Sequence, residues 1–179
     1  PPGAKADLQA FAPAEIQAGF DAKPTSPFPA AIAAVRVQAP GYNNYNLDQR
    51  GGAHGTGRYT VITAKEVEAQ SDLDTIAKLP QVAGLVSINR LLLPDKLDGD
   101  KEIRQAAARL QADLVFIYTF DTRFYDNDLA TPLSVITLGL SPTRKISVTS
   151  TVSALLIDTR TGYVYTALEV TTKAGALAT

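Results

Sequence analysis

"ALLIDTRTGYVYTALEV", residues 154–170, is the stretch whose reading decides the fold. Two runs rich in β-branched and aromatic residues flank Asp158-Thr159-Arg160-Thr161-Gly162. Runs of that kind favour a pleated, half-buried strand. An Asp that opens a turn accepts bonds from the backbone N–H groups that follow it. A Gly that closes the turn supplies the positive φ such hairpins need. Asp158, Thr161 and Gly162 are therefore read as a structural turn between two antiparallel strands. No nucleophile or base lies beside them, so the turn is architectural and not catalytic.

The strand entering the turn, "KISVTSTVSALLID" (145–158), alternates over most of its length. Ile146, Val148, Val152, Ala154 and Leu156 share one face; Ser147, Thr149, Thr151 and Ser153 share the other. That is the pattern of an antiparallel strand with one solvated side. Helices are expected over Val148, Val152 and Leu156. Upstream, "ADLVFIYTFDTRF" (112–124) is apolar on both pleat faces from Leu114 to Phe120, as in a central strand covered on both sides. "PLSVITLGL" (132–140) reads as a further strand. The last third of the chain is thus an antiparallel meander.

The first part mixes element types. "PAAIAAVRVQ" (29–38) is a buried strand, and "RYTVIT" (58–63) a second. Between them, residues 39–58 hold five Gly and three Asn, and read as a long loop. Thr63 with Glu66 forms a capping box, which starts a helix at Ala64; Ser71 with Asp74 partly repeats the signal. Two short helices or one kinked helix should end by Pro80. "VAGLVSINRLLLP" (82–94) is a strand or extended segment. "DGDKEIRQAAARLQA" (98–112) is the clearest helix. Asp98 or Asp100 can cap it, and Ile103, Ala107 and Leu110 line one face. The class is α+β, or mixed α/β: a single mixed sheet with a C-terminal antiparallel meander and helices mainly on one face. Residues 1–27, with prolines at 1, 2, 13, 24 and 27, read as a Pro/Ala-rich N-terminal tether. A short helix is expected at 13–20. Residues 28–179 form the single domain.

Composition excludes several function classes. The 17 basic and 18 acidic residues leave no basic excess for nucleic acid. No apolar window reaches the roughly 18 residues of a membrane helix. With no Cys, disulfides, thiolate metal sites and Cys nucleophiles are all excluded. His54, in "GGAHGTG", is the single histidine and would have to serve any Ser-His-Asp system or most zinc sites. A lone imidazole among loop glycines is the simpler reading. The same glycines precede a strand and not a helix, against a phosphate cradle. Asp121, Asp126, Asn127 and Asp128 lack the spacing of a calcium loop and read as an Asx-rich turn. No catalytic residue, cofactor or metal ligand is assigned. Tyr42, Tyr45, His54 and Tyr59, in or beside the long loop, form the candidate interaction surface, because tyrosines bury contact area at low entropic cost. Tyr163 and Tyr165 are read as packing across the hairpin.

"QADLVFIYTF" opening straight after a helix, followed by "VSALLIDTRTGYVYTA", resembles the CsgG-like group of bacterial envelope lipoproteins. That group includes LpoB-type proteins and the N-terminal domain of TolB. Ala112 and Asp113 match the start of the group's strand, and Asp158, Thr161 and Gly162 match its turn. The resemblance spans about residues 28–170, and extends to small lipoproteins called rhombotarget lipoproteins. It implies a periplasm-facing, lipid-anchored, non-enzymatic domain that acts as a binding or assembly module of the cell envelope. Its partner would be an envelope protein or a second copy. The tether would follow a lipidated Cys absent from this chain, and membrane contact would run through that anchor alone. The chain departs from the group where residues 39–58 replace a helix. "LSVITLGL" is also shorter than the roughly 9–11 residues of a membrane barrel strand. The alternatives are an oligomeric secretion or pore-type subunit, and a hydrolase using His54.

Overall fold

The computed structural model describes residues 14–38, 53–54, 57–62, 70–128 and 144–178. Seven strands form one mixed sheet: β1 (Ala30–Gln38), β2 (Ala53–His54), β3 (Thr60–Ile62), β4 (Val82–Ser87), β5 (Leu114–Asp128), β6 (Arg144–Asp158) and β7 (Val164–Ala178). Their order is β2-β3-β1-β5-β6-β7, and β4 also pairs with β1. The helices are α1 (Ala14–Asp21), α2 (Gln70–Ala77) and α3 (Asp100–Arg109). This is the mixed α/β architecture that the sequence patterns anticipate.

β1 is central. It lies parallel to β4 and β5, and its last two residues meet β3 antiparallel. Covered on both faces, it has no need to alternate, and residues 32–37 are all buried. Its alanines have a purpose: Ala33 meets Ala106 and Ala107 of α3 in one cluster, all fully buried. Small residues on both surfaces let helix and sheet approach closely.

Two cores flank the sheet. On the α3 side lie Val35, Val37, Val115, Ile117 and Ile157 with Ile103. On the other lie Ala30, Ile32 and Leu114, with Phe116, Leu156 and Tyr165 packed against them. α3 therefore covers the face of Ile157, not that of Val148, Val152 and Leu156, which corrects the expected side. Residues 147–154 are all partly buried, so the expected split between a buried and a solvated face is not seen there. Which face takes the helix is decided at the strand's end, where Ile157 pairs with Val115 directly over the base of α3.

Local signals are overridden at several points. Neither Asp98 nor Asp100 caps α3: the N-cap is Gly99, in extended backbone with no side-chain bond. Asp98 pairs with Lys96 and accepts the Arg58 N–H, while Asp100 holds Arg104 one turn on. These tertiary and i,i+4 partners outcompete the cap. Asp121, Asp126, Asn127 and Asp128 do not make a turn; they continue β5, because β6 supplies a matching ladder of fifteen pairs. Ala53 and His54, read within a loop, pair with Ile62 and Val61. Ser71 lies inside α2. The expected helix start at Ala64, its capping box and the strand at 132–140 lie outside the described residues.

Candidate functional site

The hairpin corner organises one end of the sheet. Asp158 is fully buried. Its Oδ1 accepts the N–H groups of Arg160 (2.9 Å) and Thr161 (3.1 Å), which sets the turn. Its Oδ2 accepts the N–H groups of Thr25 (2.8 Å) and Ser26 (2.9 Å). Burial opposes ionisation here. The N–H groups of Thr25 and Thr161, the Ser26 hydroxyl and the Arg160 N–H outweigh it and hold the carboxyl far below the usual carboxylate range. The Thr161 hydroxyl donates to the Lys23 carbonyl at 2.7 Å. Lys23, Thr25 and Ser26, placed by sequence in the tether, are thus bound to the domain.

Asp113 works beside it. Its Oδ2 accepts the Ala31 N–H at 3.1 Å, and its own N–H donates to the Ala31 carbonyl at 2.8 Å. Its carbonyl accepts the Thr159 N–H at 3.0 Å. Asp113 and Asp158 together join β1, the start of β5 and the turn.

Gly162 has φ of +75°, and a Cβ there would stand 3.1 Å from the Arg104 guanidinium carbon. The positive φ is what favours glycine here; the flexible Arg104 guanidinium would have to give by a few tenths of an ångström to admit a Cβ. The Arg104 side chain of α3 thus lies against the turn.

A groove follows from lengths. α3, with ten residues, extends about 15 Å, whereas each fifteen-residue strand of the meander runs about 50 Å. Among the described residues, the helix covers the base of the sheet face and leaves the rest open. There lies a groove of about 760 Å³. Its floor comes from β5, β6 and β7, including Ile117, Leu155, Val164 and Ala167. Leu155 and Val164 are 38% and 47% exposed, so apolar surface faces water there. The start of α3 and the Arg58-Tyr59 pair make the walls. The second wall is pinned: the Tyr59 N–H donates to the Leu97 carbonyl at 3.0 Å. Gly57 presses on the Leu97 backbone so closely that no side chain fits.

One polar line crosses the apolar floor. Thr119 is paired with Ser153, and Ser153 with Glu169, on three adjacent strands. The Ser153 hydroxyl donates to Glu169 Oε2 at 3.0 Å. The Thr119 hydroxyl is buried and has no hydrogen-bond partner among the described residues. An apolar trough with a few convergent polar groups is the usual form of a binding site.

The sequence-predicted surface is only partly gathered here. Tyr59 lines the groove, with the Arg58 guanidinium 5.6 Å from its ring centre. Tyr42 and Tyr45 lie outside the described residues. The backbone of His54 pairs with Val61 in β2, at the end of the sheet order remote from the groove's β7. Tyr163 and Tyr165 pack edge to face at 5.3 Å, and Tyr165 does the same with Phe28 at 6.1 Å, on the other side of the sheet. Sequence reasoning missed Thr119, Leu155 and Val164. The hydroxyl of Thr119 between Tyr118 and Phe120 was the available signal, since it breaks an otherwise apolar strand.

No protein-family model and no curated protein matches the chain. Among solved structures it is similar to lipoprotein GNA1162 from Neisseria meningitidis, with 12% identity, 82% of this chain and 84% of that one covered, and a TM-score of 0.41. It is also similar to the LpoB C-terminal domain from Salmonella enterica, with 11% identity, coverage of 86% and 88%, and a TM-score of 0.36. For the hypothetical protein CT253 from Chlamydia trachomatis the identity is 11%, the coverage 82% and 72%, and the TM-score 0.30.

Proposed function

We propose that this chain is a non-enzymatic binding module of the bacterial cell envelope, held on the periplasmic side by a lipid anchor ahead of residue 1, and that it takes its partner in the groove beside α3. The observation that carries the binding reading is the groove itself. Exposed Leu155 and Val164 lie in a walled trough, and apolar surface so placed is the usual mark of a contact site. The envelope assignment rests on the sequence resemblance of the Ala112-Asp113 strand and the Asp158 to Gly162 turn to envelope lipoproteins. The partner is an envelope protein that presents an apolar side chain to the floor and a hydrogen-bonding group to the exposed Glu169 carboxylate. Residues 1–22 serve as the spacer from the membrane.

Site-specific photocrosslinking in cells making the full precursor tests this. A photoreactive residue in place of Val164 should give a discrete adduct in the envelope fraction. The same residue in place of Gln105, exposed on α3, should give none. Equal labelling from both positions, or none from Val164, would refute the groove. Recovery of the precursor in the soluble cytosolic fraction would refute the location.

A further inference from the structure

β7 ends the described sheet, and its outer edge carries an internal symmetry. Its sequence, "VYTALEVTTKAGALA", contains two charges, Glu169 and Lys173. They are opposite in sign, four residues apart and both exposed. An even spacing puts both side chains on one face of the strand. Midway between them stands Thr171, also exposed. An antiparallel partner strand related by a two-fold axis through Thr171 places each residue opposite the one equally far on the other side. Glu169 then faces Lys173 of the other copy, twice over. On the opposite face Leu168 meets Ala174 and Val170 meets Thr172. Leu168 and Val170 are 60% and 61% exposed here, so the pairing would cover them.

We propose that β7 pairs antiparallel with β7 of a second copy of this chain, about a two-fold axis at Thr171, so that two sheets become one. Charges on an edge strand commonly serve to keep other strands away. Two like charges, or two charges on different faces, would serve that end equally well. Opposite signs at an even spacing instead make the strand complementary to itself, as an isologous contact requires. Directly opposed ion pairs across a ladder stabilise it, whereas like charges destabilise it. Glu169 lies on the groove floor as well as on this edge, but Thr171 and Lys173 do not line the groove, so the Thr171→Cys and Lys173→Glu tests fail independently of the groove reading.

The chain contains no Cys, which makes a cysteine test free of background. Thr171→Cys should oxidise to a disulfide dimer, since each Cys faces its own copy. Ala174→Cys should stay monomeric, because its two copies would stand about 20 Å apart along the ladder. Equal crosslinking at both positions overturns the proposal. In sedimentation, the unmodified chain should show a concentration-dependent dimer, and a chain that stays monomeric at every concentration overturns the proposal whatever else binds the edge. Glu169→Lys and Lys173→Glu should each weaken the dimer about tenfold, a shift of about 1.4 kcal/mol. The double variant should restore it. Failure of the double variant to do so overturns the register.

Discussion

The Oδ2 atom of Asp158 lies 2.8 Å from the backbone N of Thr25, a residue 133 positions away. One carboxylate therefore closes a local turn with one oxygen and fastens the N-terminal strap with the other. Asp158→Asn should remove the charge and place an amide NH₂ among N–H donors. The expected loss is about 3 kcal/mol of stability, for a buried charge-assisted network left mismatched. Urea denaturation of the two proteins at neutral pH measures it.

The pH dependence has a definite sign. The folded-state pKa of Asp158 is depressed, so its contribution is full above the ordinary carboxylate range. It is lost as pH falls from that range toward the folded value. Stability followed from pH 6 down to pH 3, itself an interval of about three units around the ordinary carboxylate pKa, should fall less steeply in Asp158→Asn than in the parent. Parallel curves would mean that other carboxyls govern the acid limb.

The strap predicts where the domain begins. Removing residues 1–22 should leave the melting temperature unchanged. Removing residues 1–26 takes away the donors of Thr25 and Ser26 and the Lys23 carbonyl, and leaves Asp158 buried and under-satisfied. That truncation should lower the melting temperature by several degrees, by a loss of about 2 kcal/mol or more. Identical melting of both truncations would place the strap outside the folded unit.

Two neighbouring positions on one face of β6 differ in what covers them. Ile157 is 3% exposed against α3, whereas Leu155 opens into the groove. Ile157→Asp should cost about 4 kcal/mol or more, by burying an unpaired charge. Leu155→Asp should cost about 1 kcal/mol or less and should abolish the crosslink expected from Val164. Chemical denaturation ranks the pair, and the reverse order would mean that α3 covers Leu155 and not Ile157.

Glycine 162 and threonine 119 make opposite predictions. Gly162→Ala meets both a positive φ and the Arg104 guanidinium, and should destabilise by about 1–3 kcal/mol. Gly99→Ala, at the N-cap of α3 in extended backbone with open space around it, should cost only about 0.5 kcal/mol. Thr119→Val removes a buried hydroxyl that lacks a partner and should stabilise by about 1 kcal/mol.

Much of the molecule was legible residue by residue. The alternation of 145–158 determined a strand, Asp158 with Gly162 determined the corner, and the spacing of Ile103 and Ala107 determined a helix, because these are properties of neighbouring residues. Tertiary structure alone decided which side of the sheet α3 covers, since both faces of 145–158 are compatible with the same pattern. It also drew Asp98 and Asp100 away from capping and carried the carboxylates of 121–128 into a strand. The groove was invisible for a further reason: it arises from a ten-residue helix lying on fifteen-residue strands. A mismatch in length between packed elements belongs to no single stretch of sequence, and neither does a carboxylate shared between residue 158 and residue 25.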